Sequence, residues 1–375
     1  MEIKSIQLTG YRGYLYSSAL FANRINLIYG NNAQGKTNLL EAIYFASMLR
    51  SFRNVSDRDL IHFDKDKASV CIIYEIEGRE MEEQIILERG KEKKVWINGV
   101  RLLKYKEARD YLKVVFFYPE ELEIIKGSPE KRRDFLDEMI GVLKPKYKKA
   151  LYNYAIALKQ KNNLLKNLHR GGTGEEMLPV WEERLAEYGA IIMLYRKSFI
   201  EKYKEKVKEV HLEITDGKEN LALYYDSSVS IDKEETKDEI KDVFLKKQAS
   251  LKIPEREKET SLVGPHRDDI ILEINQKNIR KFGSQGQQRS AVLSMKIAQM
   301  EMIREVFGEY PVLLLDDIMS ELDEHRRAYF KEKIKGKQVF LTCTDKDDFE
   351  DSENKRSFLI QGGTIQCTSI LEEIK

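Results

Sequence analysis

Cysteine is scarce in this chain: three residues in 375, Cys71, Cys343 and Cys367, with no CxxC spacing. Disulfide frameworks and zinc fingers need cysteines in closely spaced sets, so neither is expected, and free buried thiols in strand-like runs are. Long apolar runs are missing too. No stretch approaches about 18 consecutive apolar residues, and Met1-Glu2-Ile3-Lys4 lacks the apolar core of a signal peptide, so no membrane segment and a cytoplasmic location are expected. Net charge is almost absent, because 64 basic and 63 acidic side chains leave +1. A polyanion partner must therefore be met by local clustering. No short repeat and no low-complexity linker interrupts the chain, whose length exceeds one ordinary core and implies two or three domains.

What is present begins with eight residues, Gly30-Asn31-Asn32-Ala33-Gln34-Gly35-Lys36-Thr37, that spell GxxxxGK[ST]. They lie between an apolar run, residues 25–29, and an amphipathic segment beginning at Asn38. In that context the glycines let the backbone curl so that its N–H groups face a triphosphate. Lys36 reaches the outer phosphates, and the Thr37 hydroxyl is placed to hold Mg²⁺. Nucleotide binding follows. Later, Pro311-Val312-Leu313-Leu314-Leu315-Asp316-Asp317 reads as a strand buried on both faces and ending in two acids, which resembles a Walker B motif. Asp316 would hold the metal opposite Thr37, and Asp317 would orient or deprotonate the attacking water.

Periodicity divides the chain into a β-rich start, a helical middle and an α/β end. Short alternating runs over residues 3–28 and 68–117, with a tight turn expected at Asn98-Gly99, predict an antiparallel sheet flanking the phosphate loop. In the middle, Tyr147, Leu151, Tyr154, Leu158, Leu165 and Leu168 form one helical stripe. Trp181, Leu185, Tyr188, Ile192, Tyr195 and Phe199 form a second. Arg170-Gly171-Gly172-Thr173-Gly174 can reverse the chain between them. The pattern predicts a helical hairpin whose longer helix has about 30 residues and spans about 45 Å. Whether it projects as an arm or lies in a bundle, the stripe does not say. Residues 126–170 carry twelve basic against four acidic side chains, a local excess of +8, with Arg132, Arg133, Lys148 and Lys149 among them. Such a segment can bind backbone phosphates or form a solvated face. Before the acidic strand, Ser284-Gln285-Gly286-Gln287-Gln288 opens another helix whose N-terminus could receive an anion.

The order of phosphate loop, helical insertion, SQGQQ, LLLDD and then Ser320-Glu321-Leu322-Asp323 resembles the ABC-type ATPases. That resemblance implies a composite site. The signature of one subunit meets the nucleotide held by its partner, Ser320 and Asp323 of the D-loop cross the interface, and a chain with one copy of each works as an ATP-dependent head-to-tail homodimer.

Further segments narrow the resemblance to the RecF family, bacterial recombination mediators related to the SMC ATPases. They are Gly10-Tyr11-Arg12-Gly13-Tyr14, the loop extended by Asn38, Ser51-Phe52-Arg53, Phe117-Tyr118-Pro119-Glu120-Glu121-Leu122, Pro129-Glu130-Lys131-Arg132-Arg133-Asp134-Phe135-Leu136-Asp137 and Gly264-Pro265-His266-Arg267-Asp268-Asp269. The implied fold is an α/β ABC/SMC-type head, a mixed sheet with the phosphate loop plus an antiparallel β lobe. Residues 1–118 and 261–375 form this head, and residues 119–260 form an inserted helical arm. The resemblance further implies ATP and Mg²⁺ as cofactors, with Arg53 stabilising phosphate charge and Glu120 near the Q-loop. Its partners would be duplex DNA beside single-stranded gaps, with RecR, RecO and RecA in one pathway that supports repair and the SOS response. Asp317 stands where most ABC relatives carry Glu, which implies slow, switch-like hydrolysis. Thr344 or Asp345 replaces the usual switch histidine, and His266 is a substitute sensor or a structural turn residue. An SMC-type DNA clamp and a transporter subunit are the alternatives, the first needing far longer arms and the second a membrane partner.

Overall fold

A computed structural model describes residues 1–230, 236–343 and 354–368, which form two compact units. One unit comprises residues 1–120 and 300–375, and the other residues 121–299.

The first unit holds two six-stranded sheets. One runs Thr364–Cys367, Lys355–Gln361, Ile25–Tyr29, Val339–Cys343, Val312–Leu315, Val114–Phe117, and is parallel except for its first strand. Its central strands read as unbroken apolar runs because both faces are covered: Val312 to Leu315 and Val339 to Phe340 are all buried. The other sheet is antiparallel, ordered Tyr14–Leu20, Glu2–Tyr11, Lys67–Ile76, Arg79–Glu88, Lys94–Ile97, Val100–Arg101. Its last hairpin turns at Asn98 and Gly99, with φ of 48° and 76°, the paired positive values that a two-residue primed turn requires.

The antiparallel expectation needs a correction at its edges. Ile25–Tyr29 and Val114–Phe117 belong to the parallel sheet, and their lack of polar alternation is the physical reason. The cysteines do lie in strands, but only Cys343 is buried. Cys71 is half-buried and Cys367 is exposed on an edge strand.

The second unit is built on a hairpin of helices Pro145–His169 and Leu178–Ile214. The longer helix has 37 residues, about 55 Å at 1.5 Å per residue, not the shorter rod expected. Its buried stripe continues through Tyr203, Val207, Val210 and Ile214, where dense flanking charge hides it from a sequence reading. The stripe is also wider than expected, taking in Ala186, Gly189 and Ala190. A Cβ at Gly189 would lie 2.3 Å from the Phe244 ring of helix Lys237–Ser250, so the glycine is what lets that aromatic seat on the long helix. The helical middle also contains a three-stranded antiparallel sheet, Lys277–Asn278, Asp269–Ile274 and Leu221–Asp226, in which the first two strands form a tight hairpin and the last two pair across a long sequence separation.

Candidate functional site

The phosphate loop leaves the carboxyl end of strand Ile25–Tyr29 and enters helix Lys36–Met48. Gly30 has φ 141°, and a Cβ there would stand 2.6 Å from the carbonyl O of Ile360, so no other residue fits this turn. Ala33 and Gly35 also take positive φ, at 63° and 110°, which curls the segment. Two side chains brace the loop from outside. The Tyr14 hydroxyl donates to Gly35 O at 2.8 Å, and Gln34 Oε1 accepts from Gly362 N at 2.9 Å.

Lys36 is 6% exposed, and its Nζ donates to Gly30 O at 2.6 Å and to Asn31 O at 3.4 Å. These are neutral acceptors on the loop that would carry the ligand, so a phosphate can replace them without breaking an ion pair. Asn31 and Asn32 are exposed.

Strand Val339–Cys343 separates the loop strand from strand Val312–Leu315, yet the two motifs meet. Thr37 Oγ1 donates to Asp316 Oδ1 at 3.1 Å, and Thr342 Oγ1 donates to the same oxygen at 2.7 Å. Burial pushes the Asp316 carboxyl above its usual range, and the two hydroxyl donors oppose that shift. A carboxylate and a threonine oxygen side by side are the donor set of a hard cation such as Mg²⁺. Thr342 escapes sequence reasoning because it sits inside an apolar run. Asp317 follows with φ 50°, and its N–H donates to Thr342 Oγ1 at 3.0 Å, a left-handed conformation that aspartate tolerates. Thr344 and Asp345 lie outside the described residues.

Arg53 does not stand alone. Its Nη1 lies 3.1 Å from Asn38 Oδ1 and 3.5 Å from Glu41 Oε2, and its guanidinium sits 5.3 Å from the Phe52 ring centre. Phe52 is in turn edge-on to Phe116 and Tyr44, with ring centres 4.7 and 5.9 Å away. Glu41 is fully buried, one helical turn past Thr37, and takes both nitrogens of the Arg12 fork at 2.8 Å besides the Ser51 hydroxyl. The Ser51-Phe52-Arg53 and Gly10-Tyr11-Arg12 segments thus converge on one carboxylate that sequence reasoning passed over. Its one signal was an acid one helical turn beyond Thr37.

The signature segment lies in the second unit. Ser284 caps helix Gln285–Phe307 reciprocally: Ser284 N donates to Gln287 Oε1 at 2.9 Å, and Gln287 N donates to Ser284 Oγ at 3.2 Å. Ser284 and Gln285 are exposed, Gly286 and Gln287 half-buried, and Gln288 is buried with its amide donating to Ile279 O at 3.2 Å. Asp323 caps helix Glu324–Ile334, accepting from Arg326 N at 2.9 Å. The side chain of Ser320 lies outside those described.

The basic segment divides in two. Arg132 is 3% exposed and forks onto Asp269 at 2.6 and 2.8 Å, so it is withdrawn from the expected DNA surface: its charge is already matched inside the unit. Lys161 is fully buried between Glu255, at 2.7 Å, and Glu182, at 3.7 Å. Arg133 donates to Asp268 O at 2.8 Å, Lys148 is half-buried and Lys149 is exposed. Glu120 is exposed, whereas its neighbour Glu121 is buried 2.7 Å from Lys296. His266 proves structural. Its Nδ1 accepts from Tyr154 OH at 2.7 Å and its Nε2 donates to Ser261 O at 3.1 Å, and burial pulls its pKa down to about 4.

Comparison with known proteins gives the same grouping. A family described as RecF/RecN/SMC N terminal domain matches residues 2–366. The chain is 40% identical to the DNA replication and repair protein RecF of Acetivibrio thermocellus, over 94% of this chain and 95% of that one. It is 38% identical to the Bacillus subtilis RecF, over 97% and 100%. The solved structure of the recombination mediator protein RecF with ATP, in the RecFOR pathway, superposes with a TM-score of 0.92 at 35% identity and covers 98% of each chain. An SmcHead structure bound to the C-winged helix domain of ScpA superposes at 0.57 with 18% identity, which supports the head fold alone. Its sheets, its loop geometry and these likenesses agree that the chain belongs to the RecF family of SMC-type ATPases.

Proposed function

We propose that this chain is an ATP-dependent, DNA-binding recombination mediator. With nucleotide in the loop, two copies pair head to tail, each presenting Ser284 to Gln288 to the nucleotide of the other. The closed dimer holds duplex DNA next to a single-stranded gap, and hydrolysis releases it. The observation that carries this reading is the meeting of Thr37, next to Lys36 on the curled loop, with Asp316 at the end of strand Val312–Leu315, together with an exposed, capped helix N-terminus at Ser284.

Residues 30–38 and Arg53 would hold ATP, and Thr37 and Asp316 would hold Mg²⁺, which when bound neutralises phosphate charge and polarises the γ-phosphoryl group. Asp317 would accept a proton from the attacking water. Its side chain is shorter than glutamate's, which favours slow turnover suited to a switch. Functionally, residues 1–118 with 261–375 act as the ATPase head and residues 119–260 as the arm. Helix Gln285–Phe307 links the compact units, since it begins in one and ends in the other. Arg133, Lys148 and Lys149 are proposed phosphate contacts. In the RecFOR pathway the protein would act with RecR and RecO in the cytoplasm to favour RecA loading at gaps, in DNA repair and the SOS response. No helix among the described residues is long and apolar enough to cross a membrane.

The test is sedimentation with Mg²⁺ and a non-hydrolysable ATP analogue, with and without duplex DNA. A dimer that forms only with nucleotide and is strengthened by duplex supports the proposal, and a monomer under all conditions refutes it.

A further inference from the structure

Between the signature helix and the long helix of the hairpin lies a small polar latch. Glu219, in the segment after helix Leu178–Ile214, uses both carboxylate oxygens. Oε1 accepts from Gln287 Nε2 at 3.1 Å, and Oε2 faces His211 Nε2 at 3.3 Å. His211 is fully buried in the last turn of the long helix, and its Nδ1 lies 3.0 Å from Ser294 Oγ on the signature helix. Ser294 Oγ donates back to Ser290 O at 2.8 Å, and Ser290 Oγ to Gly286 O at 2.9 Å. A third tie comes from Tyr203, whose hydroxyl donates to Met295 O at 2.6 Å. Two turns of the signature helix are therefore pinned, through side chains, to the far end of a helix 37 residues long.

Polar side chains in a buried interface cost free energy unless they are hydrogen-bonded, and a satisfied set of them fixes a geometry. Here they fix Gln287, the residue whose backbone N–H and side-chain oxygen form the reciprocal cap with Ser284. We propose that Glu219, seconded by His211, is a positioning residue for the signature segment: it sets the orientation of the Ser284–Gln287 cap and couples it to the long helix of the arm. The idea rests on the composite dimer proposed above, and goes beyond it by assigning a residue and a route.

Glu219→Ala and Gln287→Ala are compared singly and together. In nucleotide-free protein, amide hydrogen exchange over residues 285–290 is expected to speed up by about tenfold in Glu219→Ala, while exchange in the phosphate loop is unchanged. With the ATP analogue, dimer affinity should fall by about tenfold in Glu219→Ala and by at least as much in Gln287→Ala, which also loses the side-chain half of the cap, and the double should lose no more than Gln287→Ala alone, because the Glu219–Gln287 contact is already gone in it. Glu219→Gln, which keeps an acceptor oxygen for Gln287, should recover most of it. Binding of a fluorescent ATP analogue to the monomer should stay as in the parent chain. Full additivity, or wild-type exchange in a folded Glu219→Ala, overturns the latch. Should Glu219→Ala fail to fold, Glu219→Met, which keeps the bulk of the side chain and removes both acceptor oxygens, decides between the same outcomes. Ser284→Arg separates the two ideas. If the parent dimerises and Ser284→Arg does not, a normal Glu219→Ala refutes the latch alone. If Ser284→Arg also dimerises normally, the composite site itself is wrong.

Discussion

Two clusters of buried cations, one in each compact unit, use the same chemistry for opposite ends. In the phosphate loop, Lys36 is nearly buried, yet it rests on the carbonyls of Gly30 and Asn31. In the helical unit, Lys161 rests on Glu255 and Glu182, Arg132 on Asp269, and Arg196 on Asp137, Asp268 and the carbonyl of Pro265. A cation held by neutral dipoles keeps its charge available for an incoming anion. A guanidinium forked on a carboxylate has already been neutralised, and removing its partner would strand a charge in a medium that cannot solvate it. The kind of partner, more than the charge itself, distinguishes a binding lysine from a structural one. This is why a count of basic residues along 126–170 overstated the DNA surface there.

Methionine at Lys161 and, separately, at Lys36 probes this contrast most strongly. Lys161→Met leaves Glu255 and Glu182 unpaired and should lower unfolding stability by about 3–5 kcal/mol in urea titration. Lys36→Met, which strands no carboxylate pair, should leave the midpoint within about 0.5 kcal/mol of the parent while abolishing nucleotide binding in calorimetry. Equal losses of stability would erase the distinction.

A second probe is pH. His266 is held neutral, with its pKa near 4 against an ordinary value of about 6.5. Because the folded state binds its proton less readily than the unfolded chain, this group's contribution is complete above about pH 6.5. It is lost as pH falls toward 4, and amounts to up to about 3 kcal/mol. His266→Gln, able to accept from Tyr154 and donate to Ser261, should flatten that part of the stability profile. An identical acid dependence in parent and variant would place the effect on other groups.

Within the loop unit, Asp317→Asn removes the proposed base while leaving Thr37, Asp316 and Thr342 in place. Hydrolysis should fall by about 100-fold in a phosphate-release assay with analogue binding retained. Turnover at the parent rate would move the role to another residue. The mildest probe concerns the helical unit's outward charges. Neutralising Arg133, Lys148 and Lys149 together should weaken duplex binding and lower the slope of log affinity against log salt by about 2–3. Adding Arg132→Ala should destabilise the fold without lowering that slope further. A slope that responds to Arg132 would contradict its internal pairing.

Much of this was legible in the sequence where chemistry is local. The loop, the strand ending in Asp316, and the capped helix at Ser284 each declare themselves within about eight residues, since backbone curl, a two-sided apolar strand and a reciprocal cap are short-range features. The resemblance to the RecF family then ordered these pieces. What escaped depends on contacts that sequence spacing does not encode. Glu41 looks like an ordinary helical acid until Arg12, Ser51 and Arg53 arrive from two other segments. Thr342 looks like filler in an apolar strand until it stands beside Asp316. The core of the long helix includes Gly189 and Ala190, small residues that a search for large apolar side chains steps over. The strand Leu221–Asp226 finds its partner only at Asp269–Ile274.

In the proposed composite pocket one chain's loop and another chain's signature together enclose a single nucleotide, and mixing two defective chains tests this by complementation. Lys36→Met and Ser284→Arg are sedimented separately and as a mixture, each with Mg²⁺ and a non-hydrolysable ATP analogue. Each alone should remain monomeric, since every pocket carries a defect, whereas the mixture can build one intact pocket from the loop of the Ser284→Arg chain and the signature of the Lys36→Met chain, and should yield dimer. A mixture that stays monomeric while the parent dimerises, or a Ser284→Arg chain that dimerises unaided, would contradict it.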